Sequence, residues 1–214
     1  RNADGTIKGN NKFPDMKALG DYIHSKGLKF GVYSSPGPRT CGSYTGSWKH
    51  EEQDATSWAS WGVDYIKYDW CSYSEVAPPD PDGGRQYTGF TLKQLKLPYQ
   101  VIRKALDKQD RDIVLSLCQY GYGNVWEWGA EEGINGNVWR ATGDLYNNWN
   151  SVSSIGFQQN GHEKFTGPGH WNDTDMLVVG SGSGIVPGTN RLTPNEQLTH
   201  VGLWAILAAP LFLG

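Results

Sequence analysis

No basic run interrupts this sequence, and 19 Lys and Arg against 22 Asp and Glu leave a net charge of only -3. That excludes an electrostatic footprint for nucleic acid or for an anionic membrane surface. No segment approaches the apolar length that crosses a bilayer, and the opening Arg1-Asn2-Ala3-Asp4-Gly5 lacks the charged start and apolar run of a signal peptide. Three cysteines allow one disulfide and one free thiol, which points to an oxidising compartment. His24, His50 and His162 have no metal spacing and are expected on helix surfaces or loops. Ser34-Ser35-Pro36-Gly37-Pro38 lacks the spacing of a phosphate-binding turn, and the segment around Asp173 and Asp175 lacks the glycine and distal Glu of a calcium loop. Neither a cofactor nor a metal is expected.

What the chain has is aromatic surface: 10 Trp and 11 Tyr in 214 residues. Indole and phenol rings suit the flat faces of sugars, although any single ring is as well used in a core. A neutral carbohydrate is the partner class that fits. The patterning is a repeating unit of helix followed by strand. Helices are expected near 16–23, 50–61, 97–107, 125–132, 149–159 and from Pro194, where Thr193 and Glu196 form a capping box. The strands expected after them are 28–35, 63–71, 112–118, 137–143, 170–177 and 210–213. Strands alternating with helices imply a parallel α/β sheet, apolar except at its C-terminal strand ends. With no dinucleotide fingerprint, a (β/α)8 TIM barrel is favoured over a doubly wound sheet. About six units make it an incomplete barrel, one domain over residues 1–214.

The strand Val63-Asp64-Tyr65-Ile66-Lys67-Tyr68-Asp69-Trp70-Cys71 ends in a carboxylate. Alternation puts Lys67, Asp69 and Cys71 on one face, where an ammonium favours the ionised acid. Asp144 closes a second strand end, with Arg140 and Thr142 on its face. Glycoside hydrolysis needs two such acids, one to attack or activate water and one to protonate the departing oxygen. Each acid also has a purely structural reading, as the ion-pair partner of Lys67 or Arg140. In His170-Trp171-Asn172-Asp173-Thr174-Asp175-Met176, Asp173 and Asp175 share a face and suit either sugar hydroxyls or a satisfied buried network. Cys41 and Cys71 both follow strands, so a bridge between them would tie two rim loops and brace Asp69. Cys118, inside an apolar strand with no histidine near, reads as a packed thiol.

The segments HSKGLKFGVYSSPG (24–37), TCGSYTGS (40–47), SWASWGVDYIKYDWC (57–71), WRATGD (139–144), GPGHWNDTDML (167–177) and LWAILAAPLFLG (203–214) resemble the clan D α-galactosidases, or melibiases, and their α-N-acetylgalactosaminidase relatives. The resemblance covers nearly the whole chain in the family's order, as strands 3 to 8 of its catalytic barrel. It implies a retaining exo-glycosidase that releases terminal α-linked galactose. It further implies Asp69 as nucleophile, Asp144 as acid/base, and Lys67, Arg140 and Asp175 as hydroxyl-binding residues. Tyr33, Cys71 and Met176 would border the pocket, and Cys41 with Cys71 would form the family's disulfide. A secreted or otherwise extracytoplasmic location follows from the same resemblance.

Two departures bear on specificity. The tryptophan and paired aspartates that the family carries on its first two strands are supplied by no part of this chain. At Cys118-Gln119-Tyr120-Gly121-Tyr122, Gln119 matches neither the Glu of many α-galactosidases nor the small residues of the N-acetyl enzymes. A neutral amide still bonds a sugar hydroxyl, so galactose is expected, with α-N-acetylgalactosaminides or β-L-arabinopyranosides as alternatives on the same mechanism. A carbohydrate-binding scaffold without catalysis is the reading of another class.

Overall fold

Helix α1 (Met16–Ser25) begins where the Asp15 carboxylate accepts from the Ala18 N–H at 2.9 Å, and it stops before Gly27, whose φ of +73° no β-branched side chain would adopt readily. Gly20 is its buried residue, because a Cβ there would run into the Trp61 carbonyl. The computed structural model describes residues 1–180 and 191–214, which form two compact units.

The first unit is Arg1–Cys118 with Glu131–Gly136. After α1 come β1 (Gly31–Ser34), α2 (Glu51–Ser60), β2 (Tyr65–Tyr68), a small hairpin of β3 (Gln86–Tyr87) and β4 (Phe90–Thr91), α3 (Leu92–Leu106) and β5 (Val114–Leu117). β1, β2 and β5 are parallel, with Tyr33 opposite Lys67 and Lys67 opposite Ser116. Trp58, Ile66, Leu95, Tyr99, Ile102, Leu106 and Leu115 are fully buried between the strands and the α2 and α3 helices. At roughly 1.5–3 kcal/mol for each large side chain withdrawn from water, these residues are the main stabilisation of the unit.

The start of β2 is pinned by Asp64. Its carboxylate accepts from the Phe30 N–H at 2.8 Å and meets His24 Nε2 at 2.7 Å and Arg111 Nη2 at 2.7 Å. Burial alone would push this acid up, but the Phe30 N–H, His24 and Arg111 together hold it well below the ordinary carboxylate range. His24, on the helix where it was expected, therefore also bonds to the acid that opens β2. Arg1 makes a comparable pair with the buried Asp54 on α2.

The second unit is Gln119–Ala130 with Asn137–Gly214. It holds α4 (Val125–Trp128), β6 (Val138–Arg140), α5 (Trp149–Phe157), β7 (Trp171–Asp173) and α6 (Pro194–Ile206). β6 and β7 are parallel, with Arg140 opposite Asp173. The buried indole of Trp139 donates to Asn172 Oδ1 at 3.0 Å. Leu145, Val152, Ile155, Leu177, Leu192 and Trp204 form the core, and Gly156 lets α5 approach Leu203 of α6.

Several boundaries differ from expectation. α3 starts at Leu92, five residues before the expected start, because Thr91 and Gln94 complete a capping box and the helix tolerates Pro98 in its interior. The strands are shorter than their apolar runs, and the β3–β4 hairpin was not anticipated. Pro210–Leu213 supplies only a single parallel bridge, Leu177 to Leu213. The expected capping box at Thr193 and Glu196 is present. Among the described residues, no helix is long and apolar enough to cross a membrane.

Candidate active site

Asp69 lies one residue beyond β2, and its own N–H continues the ladder by donating to the Ser34 carbonyl at 2.9 Å. The side chain is only 5% exposed. Oδ1 accepts from the Trp70 N–H at 2.7 Å, and Oδ2 accepts from the Tyr33 hydroxyl at 2.7 Å. Burial, then the hydrogen bond and charge of Asp69, push the Tyr33 phenol far above its usual value, so Tyr33 stays protonated and donates. The Trp70 ring, packed edge-on against Tyr73 at 4.8 Å and Phe90 at 5.4 Å, anchors the backbone that presents the acid. Both carboxylate oxygens are thereby fixed before any ligand arrives.

The expected bridge is present: Cys41 and Cys71 are joined, with Cα atoms 5.1 Å apart. Cys71 Sγ lies 3.3 Å from the Tyr33 oxygen, so the bridge also abuts the donor to Asp69. Although both sulfurs and an Asp69 oxygen lie within 4.8 Å of one another, sulfurs bonded to each other offer no thiolate to a metal. The rim around Cys71 is stitched further. Ser35 Oγ donates to the Cys71 carbonyl at 2.6 Å, and Ser72 Oγ accepts from the Arg39 N–H at 2.9 Å. Gly37 sits so close that any Cβ would overlap Ser72 Oγ and the Cys71 carbonyl. Lys67 is half-buried and makes no hydrogen bond or ion pair with a described residue, so the ion-pair reading of Asp69 with Lys67 does not hold. Its ammonium is available to a ligand. Cys118 is buried and lies outside the disulfide, as expected.

In the second unit, the Arg140 guanidinium is 3% exposed. Its Nη2 lies 2.7 Å from Asp144 Oδ1 and 3.0 Å from Asp175 Oδ2. Asp144 stands past the end of β6 with its side chain 51% exposed, so it is the solvent-facing member of the trio. Tyr120, which the sequence singled out only as part of the specificity loop, places its ring 5.8 Å from the Arg140 guanidinium. Met176 is half-buried next to Asp175. Asp173 is 6% exposed and accepts the Asp175 N–H at 2.8 Å, which favours the buried-network reading over sugar contact.

Gln119 requires a correction. It is fully buried, its Nε2 donates to the Tyr122 carbonyl at 2.9 Å, and its Oε1 accepts from the Tyr122 N–H at 2.6 Å. The amide shapes its own loop and does not face a ligand. Residue types carry no signal of this, since the bonds run to main-chain atoms of a turn that has Tyr120 at φ +66°.

A family model described as Alpha galactosidase A matches residues 1–214. Alpha-galactosidase A of Cellvibrio japonicus (strain Ueda107) is 40% identical over 227 residues, covering 100% of this chain and 49% of that protein. The α-galactosidase of Cyamopsis tetragonoloba is 42% identical over 204 residues, covering 94% of this chain and 43% of that protein. The crystal structure of α-galactosidase I from Mortierella vinacea matches with a TM-score of 0.84 at 32% identity, over 100% of this chain and 54% of that one. The chain thus spans about half the length of the curated relatives it matches, and its α/β fold is an incomplete TIM barrel. By a match that runs its full length, this chain belongs to the melibiase family of α-galactosidase A.

Proposed function

We propose that this chain is part of the catalytic domain of a retaining exo-α-galactosidase. The observation that carries the reading is Asp69, a buried strand-end carboxylate whose two oxygens are held by Tyr33 and by the Trp70 N–H, two residues from a lysine that has no partner among the described residues. In the first step Asp69 forms a bond to the anomeric carbon as the glycosidic bond breaks, and Asp144 gives its proton to the departing oxygen. In the second, Asp144 takes a proton from water, whose oxygen displaces Asp69 and restores the original configuration. Lys67 and Arg140 serve the sugar hydroxyls. Tyr33, Cys71 and Met176 border the sugar.

Galactose is favoured over its N-acetyl derivative because the 119–122 loop carries Tyr120 and Tyr122, where an acetamide needs small neighbours. Parallel rates on the nitrophenyl glycosides of galactose, N-acetylgalactosamine and arabinopyranose decide among the three sugars. The Cys41–Cys71 bridge supports a secreted or otherwise extracytoplasmic location.

In the full-length protein, Asp69→Asn lowers turnover of an aryl α-galactoside by on the order of 10⁴-fold or more. Azide restores cleavage to Asp69→Gly and yields the β-galactosyl azide. Near-normal turnover by Asp69→Asn would sink the reading. Sugar binding with no covalent trapping by a fluorosugar inactivator would favour the non-catalytic scaffold instead.

A further inference from the structure

Asp175 is held by protein through one carboxylate oxygen and through both of its backbone polar groups. Its Oδ2 accepts from the Leu145 N–H at 2.8 Å and lies 3.0 Å from Arg140 Nη2, the same nitrogen that lies 2.7 Å from Asp144 Oδ1. Its own N–H donates to Asp173 Oδ1 at 2.8 Å, and its carbonyl accepts from Trp204 Nε1 at 2.7 Å. The side chain is 3% exposed. The backbone sits at φ +77°, a left-handed conformation that a non-glycine residue keeps only where its surroundings over-determine it.

These contacts converge on Asp144. One carboxylate oxygen of Asp175 fixes the peptide immediately after Asp144 and also holds the cation paired with the Asp144 side chain. Leu145 is itself 2% exposed in the core, so the anchor is rigid. Asp144, half-exposed, has no comparable hold of its own.

We infer that Asp175 is a positioning residue for the acid/base Asp144, acting through the Leu145 N–H and the Arg140 guanidinium. The inference rests on the proposed role of Asp144. A misplaced general acid harms only departures that need a proton, so the signature is dependence on the leaving group.

The test is kcat/KM of the full-length Asp175→Asn protein on a dinitrophenyl α-galactoside and on an alkyl α-galactoside. Asn is suited to the left-handed backbone, so the turn survives the change. The alkyl substrate loses on the order of 10²-fold, as expected when general acid catalysis fails, and the dinitrophenyl substrate less than about tenfold. Equal losses on the two substrates overturn the inference, whether they appear in KM, as direct sugar contact requires, or in kcat. If Asp175→Asn fails to fold, Arg140→Lys, which keeps the charge but not the doubly shared nitrogen, must show the same leaving-group bias. A wild-type protein that cleaves neither galactoside would instead remove the α-galactosidase reading itself.

Discussion

At the scale of single residues, the arrangement around Asp69 is a donor problem. Tyr33 supplies one hydrogen bond to the carboxylate through a phenol that remains protonated across the whole working range. Tyr33→Phe removes that bond and keeps the ring. A hydrogen bond to a charged group is worth about 1.5–3 kcal/mol, so kcat/KM on an α-galactoside falls by roughly 10- to 100-fold. The loss appears with activated and unactivated leaving groups alike, which separates it from damage to the acid/base. Steady-state kinetics on the two substrates check it. An unchanged kcat/KM would mean that Tyr33 only borders the cavity.

At the scale of elements, Asp64 joins α1, β1, β2 and the segment before β5 through His24, Phe30 and Arg111. Removing its charge leaves a partly buried Arg111 with carbonyl partners but no carboxylate, and Asp64→Asn costs about 2–4 kcal/mol of unfolding free energy at neutral pH. The pH dependence has a definite sign. Because the folded protein holds this acid below its unfolded value near 3.9, its contribution is complete above about pH 5 and is lost as pH falls through that value and below. Chemical denaturation of wild type and Asp64→Asn across pH shows a gap that closes on acidification; a gap independent of pH would refute the assignment. This hub also marks what sequence reading reaches. The alternation of apolar strands and helices, the acid after β2 and the capping box at Thr193 were legible because each is local, with its periodicity carried by neighbouring residues. The partners of Asp64 lie 34 to 47 positions away, and only the registers of β1 and β5 on β2 bring them together. The start of α3 was missed although its signal, the Thr91 and Gln94 capping box, is local. Gln119 was legible as unusual but not as buried.

At the scale of the whole molecule, one cross-link spans 30 residues and closes the rim beside Asp69. Closing a loop of that length stabilises the fold by about 3–4 kcal/mol in the chain-entropy picture. Alkylation of the unfolded protein without reductant, mapped by peptide, labels Cys118 and leaves Cys41 and Cys71 unlabelled until reduction. Labelling of Cys41 and Cys71 without reductant would rule the bridge out. The same rim has a consequence for inheritance. Every single-base missense change at a glycine codon adds a Cβ, and at Gly37 that atom collides with Ser72 and the Cys71 carbonyl. A lesion in the loop after β1 would therefore be expressed at Asp69, 32 positions along the chain. A genetic screen for lost activity should recover Gly37 as often as the acids themselves.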